Sequence, residues 1–243
     1  MKRSSEVLIL AAVLLLVVPE AFGATAPTKA VYSVGIRFVS DSAQWCQSAR
    51  VVITPAGDAF VVTVRDAKLS IEQASPEDRG TIESSYGGYE GAWASVKLDA
   101  RGNILSIGQV TSPAAVGGVL PVTEADIRNI LGLCVLALPP ANEKPTLNAG
   151  DSWLADYLAA TPQLAGGPKL KTLNARMKLA SITLAEGKRI GEFVFSYEAA
   201  HFRHTRKVLY DLDAERVTRT TATTQGTSNG KAVSISSTAE LVP

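Results

Sequence analysis

The chain has 243 residues, 46% of them hydrophobic and 19% charged, with 24 Lys and Arg against 23 Asp and Glu. That balance excludes an acidic disordered tail and a basic nucleic-acid binder, and it requires a buried core. The length suffices for one β-rich domain or two small halves, with no need of metals or many disulfides.

Part of the apolar content lies at the start. Lys2 and Arg3 precede an uncharged run from Val7 to Val18, and Ala21-Phe22-Gly23 puts small residues where a signal peptidase reads. The pattern predicts a signal peptide over residues 1–23, cleaved after Gly23. As a helix the run spans only about 18 Å, against roughly 30 Å of hydrocarbon, so a stable membrane anchor is not expected.

Strand patterns dominate the remainder of the chain. Tyr32, Val34, Ile36 and Phe38 alternate with smaller or polar neighbours. Arg50–Thr54 and Asp58–Ile71 flank Pro55-Ala56-Gly57 and read as a hairpin. In its second arm Phe60, Val62 and Val64 hold one parity and Leu69 and Ile71 the other, so a bulge is expected near Arg65-Asp66. Residues 74–91, with Pro76 and four glycines among charged and serine residues, read as a loop. A second hairpin is expected over 92–98 and 104–110.

One principal helix is predicted, Thr123 to Leu138. Thr123 and Asp126 form a capping-box pair, Ile127, Ile130, Leu131, Cys134 and Leu138 give an apolar stripe, and Pro139-Pro140 stop it. Strands then resume over 169–184, 189–199, 206–213, 215–224 and 231–241. Leu98-Asp99-Ala100 and Leu212-Asp213-Ala214 open matching turns in the two halves. The fold class expected is mainly β with one principal helix (α+β): two similar curved antiparallel β units, 24–122 and 151–243, packed with a central helix and Pro-rich linker at 123–150.

Leu138-Pro139-Pro140 followed by Gly150-Asp151-Ser152-Trp153, with an Asp-x-x-Gly turn at Asp99–Gly102, resembles a family of exported bacterial β-rich proteins of unknown function. At 213–216 the matching turn lacks its Gly. The resemblance implies an envelope or secreted β protein and carries no known chemistry.

Several side chains invite chemistry. Glu198, His201 and His204 are the most metal-like set, and on them rests the alternative of a metal-assisted hydrolase; on a strand, however, His201 and His204 point to opposite faces. Asp211, Asp213 and Glu215 are half a cation site and read better as a solvated edge. Gly226-Thr227-Ser228-Asn229-Gly230 has the letters of a nucleophile elbow, but a hairpin follows it and both histidines precede it. The Ser- and Thr-rich stretch 218–238 reads as the outer surface of the last hairpin. Cys46 and Cys134 can bridge in an oxidising compartment, a link that stabilises by about 4 to 5 kcal/mol in the loop-entropy model, or Cys134 can be a buried thiol.

No complete catalytic set emerges and no cofactor is implied. The function expected is a non-enzymatic, exported envelope or secreted protein, periplasmic or beyond, that binds an envelope partner or, carrier-like, an apolar small molecule. Phe60, Val62, Phe193, Phe195 and Trp153 are its candidate ligand-lining residues. A structural or assembly module is the further alternative, and nucleic acid is not an expected partner.

Overall fold

The computed structural model describes residues 18–20, 29–98, 104–136, 138–139, 146–161, 169–199, 202–228 and 231–243. Among the described residues twelve strands form one antiparallel sheet: β1 (Val18–Glu20), β2 (Ala30–Ser40), β3 (Gln44–Ala56), β4 (Ala59–Gln73), β5 (Trp93–Leu98), β6 (Ile104–Ile107), β7 (Ser152–Thr161), β8 (Lys169–Ala185), β9 (Lys188–Ala199), β10 (Phe202–Asp211), β11 (Arg216–Ser228) and β12 (Lys231–Leu241). Across the sheet the order is β1-β7-β8-β9-β10-β11-β12-β2-β3-β4-β5-β6. Each strand from β2 to β6 pairs with the next along the chain, and so does each from β7 to β12. The two runs meet where β12 pairs with β2, from Val233 opposite Ser40 to Leu241 opposite Tyr32. The runs expected as separate units are therefore continuous in one sheet.

Period-two alternation makes one face of this sheet apolar. Tyr32, Val34, Ile36 and Phe38 on β2, Val62 and Val64 on β4, Phe193 and Phe195 on β9, and Val233 and Ile235 on β12 are all buried on the same inner face. The anticipated bulge is present on β4. Ser48 pairs with Lys68 but Arg50 with Arg65, which inserts one residue at Asp66-Ala67. Asp66 takes φ of +53° there. Glu90 accepts the Ala67 amide at 2.7 Å, and Arg50 lies 3.6 Å from the Asp66 carboxylate. The extra residue switches parity, so Leu69 and Ile71 return to the side that Val62 and Val64 occupy.

Two helices of equal length accompany the sheet among the described residues. The segment 74–91, expected as a loop, contains α1 (Pro76–Tyr86) and a 3₁₀ turn (Gly87–Tyr89). Ser75 caps α1 by accepting from the Asp78 amide, and Pro76 sits in the first turn where no amide is needed. Only Ile82 and Tyr86 of α1 are buried, so it shows little apolar periodicity to read. An aromatic series, Phe38 to Trp45 at 5.5 Å, Trp45 to Tyr86 at 4.4 Å and Tyr86 to Tyr89 at 6.1 Å, pins α1 to the sheet.

The second helix, α2 (Glu124–Cys134), starts at Thr123 with the full capping box. It ends four residues before the expected Leu138. Val135 is extended, its amide closing on the Leu131 carbonyl, and the chain leaves through buried Val135 and Leu136. Ile127, Ile130, Leu131 and Cys134 are buried as the stripe requires. The helix touches β11, β12 and β2 in the middle of the sheet and also the terminal strand β6; it touches β1 as well, a strand that falls inside the segment expected to be cleaved as a signal peptide. A helix about 16 Å long reaches all of these only if the sheet curls around it.

Gly150-Asp151 forms the turn into β7. Gly150 has φ of +96°, the Asp151 carboxylate accepts the Asn148 amide at 2.9 Å, and Leu179 on β8 exchanges backbone bonds with Gly150 and Asp151.

Candidate functional site

The inner face of the curled sheet is the principal candidate surface. Val62, Phe193 and Phe195 are fully buried on it, and Phe60 and Trp153 pack partly buried against it. Trp153 meets Phe193 edge-on at 6.2 Å, and Phe193 meets Tyr210 edge-on at 6.0 Å. Trp153 thus anchors β7 to β9. The expected lining residues belong to one apolar interior, but Val62 on β4 and Phe193 on β9 lie far apart in strand order.

Polar groups interrupt this interior on β10, β11 and β12. His204, Arg206, Thr220, Thr224 and Ser237 face inward, and all but His204 are less than a tenth exposed. The Ser- and Thr-rich stretch is therefore not only an outer surface, because alternate residues of β11 and β12 point inside. His204 Nδ1 is 2.8 Å from Thr224 Oγ1, and its ring stands 5.5 Å from Phe195. Burial, and after it the Arg206 guanidinium, lower the His204 imidazole to about 4, so it is neutral at pH 7. Arg206 Nη2 donates to the Val135 carbonyl just beyond α2, at 3.2 Å. That carbonyl is one of the unsatisfied groups left at a helix C-terminus, where a cation is favoured. Tyr32 Oη donates to the Val217 carbonyl at 3.1 Å, and burial pushes the Tyr32 and Tyr210 hydroxyls well up.

The metal-like set divides between faces. Glu198 is exposed on the outer side of β9 and lies 3.4 Å from Arg203, whereas His204 faces inward; His201 is outside the described residues. The register pairs Glu198 with Arg203 and Tyr197 with His204, so the sheet itself separates the two side chains. Among the described residues no group of three His, Cys, Asp or Glu is placed to hold a metal ion.

Nor do the cysteines bridge. Cys46 lies between inward-facing Trp45 and Gln47 and so points outward, while Cys134, the last residue of α2, is buried on the inner side. Both are free thiols, and burial raises that of Cys134 well above its ordinary value. Asp211, read as part of a solvated edge, is 2% exposed and accepts the amides of Asp213 and Ala214, closing the β10–β11 turn. Asp213 accepts from the Arg189 amide and guanidinium, which holds its carboxyl below the usual range.

A cleft of about 430 Å³ opens where the β2–β3 turn meets the ends of β11 and β12, lined among others by Ser40, Asp41, Gln44, Gln225, Val233 and Ser234. Its size is that of a small-molecule pocket. No helix among the described residues is long and apolar enough to cross a membrane.

The buried Arg206 is the site residue that alternation in sequence did not reveal. Its signal was available: with Val208 and Tyr210 defining the inner parity of β10, Arg206 falls on the same side. A scan of protein-family models finds no match to the chain, and a search of curated protein sequences finds none either.

Proposed function

We propose that the protein is exported and acts by binding, carrier-like, holding an apolar ligand against the inner face of its curled sheet beside a central helix. The observation that carries this reading is the wrapping of a continuous apolar and aromatic face around the short helix α2. A concave face of apolar and aromatic side chains is the kind of lining that holds an apolar ligand. Export rests on the Lys2-Arg3 start, the Val7–Val18 run and Ala21-Phe22-Gly23. The separation of Glu198 from His204 removes support from the hydrolase alternative.

The test is saturable binding. Protein lacking residues 1–23 is delipidated, refolded and titrated with 1-N-phenylnaphthylamine, with dodecanol as competitor. One site per chain, competed by dodecanol, is the expected result. Fluorescence that rises without saturation overturns the reading.

An assembly role is favoured by one separate observation. Trp93 on β5, Leu105 on β6, and Val116 and Leu120 in the loop after β6 are exposed large apolar residues near the β6 end of the sheet. A concentration-dependent shift in mass by light scattering supports that reading, and a constant monomer mass removes it.

A further inference from the structure

Buried hydrogen-bonding atoms in a well-packed protein almost always have partners. In the seam between α2 and the inner face three do not. Thr220 Oγ1 and Tyr210 Oη, on β11 and β10, and Asn129 Oδ1, on α2, are each buried and have no hydrogen-bond partner among the described residues. Thr220 is 0% exposed and Tyr210 1%. The two strand residues are neighbours by register, since Thr220 stands opposite Val208 and Tyr210 follows Val208 by two on the same face, and the helix that carries Asn129 rests on β11. Arg206, two residues before Val208 on the same face, brings a positive charge to the seam and touches the chain just past α2.

Closing α2 over these groups costs free energy, since each orphaned polar atom forfeits its hydration. An apolar floor would have made the contact tighter at no such cost. A buried polar group left without a partner calls for an explanation, and a contact that opens so that something else satisfies the group supplies one.

We propose that α2 is a displaceable cover, and that the floor beneath it, Thr220, Tyr210 and Arg206, seats the anionic head of an amphiphile. This inference rests on the binding function proposed above and names its ligand class: a chain for the aromatic interior, a negative head for the hydroxyls and the guanidinium. Hydroxyl donors and a guanidinium together match a phosphate or carboxylate.

Cys134, fully buried on α2, reports the opening. In a Cys46→Ser background it is the only thiol, and a disulfide reagent reaches it only when the helix lifts. Modification in buffer is expected at least 100-fold faster than global unfolding allows, with a weak dependence on urea. Thr220→Val and Tyr210→Phe remove the orphaned hydroxyls, so each is expected to raise the urea midpoint and slow Cys134 modification about 5- to 30-fold. Dodecyl phosphate is expected to bind at least 10-fold tighter than dodecanol, with Arg206→Gln bringing the two toward equality.

Modification of Cys134 only through global unfolding overturns the cover. Unchanged or faster modification in both hydroxyl variants overturns the polar floor, whatever Arg206→Gln does to folding. Equal binding of the two alkyl probes overturns the anionic head while leaving the apolar carrier reading standing. Binding of neither overturns the carrier reading itself, and the thiol kinetics still decide the cover.

Discussion

Single positions in this protein illustrate two different constraints, backbone crowding and the burial of a titratable group in its neutral form. Gly88, in the 3₁₀ turn after α1, has the Leu120 carbonyl oxygen 2.4 Å from where a Cβ would stand. A carbonyl in a loop tied to Ser84 by a backbone bond cannot retreat cheaply, so Gly88→Ala is expected to destabilise by about 2 kcal/mol in chemical denaturation. Gly87→Ala, which meets the Val119 side chain at 3.2 Å and no backbone atom, serves as the milder control. His204 supplies the second case. Its imidazole takes a proton near 6.5 when unfolded and near 4 when folded. Between those values the unfolded state binds more protons, so stability is complete above pH 6.5 and is lost as pH falls toward 4, by on the order of 3 kcal/mol. The urea midpoint should fall between pH 7 and pH 4.5, and His204→Gln should flatten that slope. Equal slopes in the two proteins would assign the acid sensitivity to other groups.

Secondary structure was legible where apolar periodicity is strong, and hidden where capping and tertiary contact replace it. The strands β2, β4, β8, β9 and β12 follow from alternation alone, and the β4 bulge from the change of parity between Val64 and Leu69. The helix α1 does not, since two buried side chains in eleven residues give no stripe; its legible mark was Ser75-Pro76-Glu77-Asp78. The candidate site divides the same way. Phe193, Phe195 and Val62 announce themselves as inward residues, while Arg206, Thr220 and Thr224 look like solvent-facing polar residues until the neighbouring strands fix which face is inside. Two local devices are open to measurement. Thr123→Ala removes one half of the α2 capping box and is expected to cost about 1 kcal/mol. At the bulge Asp66 holds a left-handed backbone, so Asp66→Gly should be nearly neutral while Asp66→Val costs about 1–2 kcal/mol by thermal melting.

At the scale of the molecule, the joining of the two strand runs through β12 and β2 decides how the chain behaves as a unit. Residues 24–122 and 151–243 share one sheet, so each fragment made alone would present a long unpaired strand, β2 or β12, at the seam. Neither fragment is expected to give a cooperative thermal transition, whereas the whole chain should melt in one step by both far-ultraviolet circular dichroism and tryptophan fluorescence. Independent transitions in the fragments would show that the seam is a docking contact between self-sufficient halves.

The β12–β2 seam also sets an order of events in time. Tyr32 finds its partner in Leu241, and Val31 accepts from the Val242 amide, so the first long strand waits for residues 231–242. Until β12 is made β2 lacks one of its two neighbours, and the contact that closes the seam joins residues far apart in sequence, a slow kind to form. A chain stopped short of residue 231 leaves that edge of β2 without its partner strand and so open to pairing between chains.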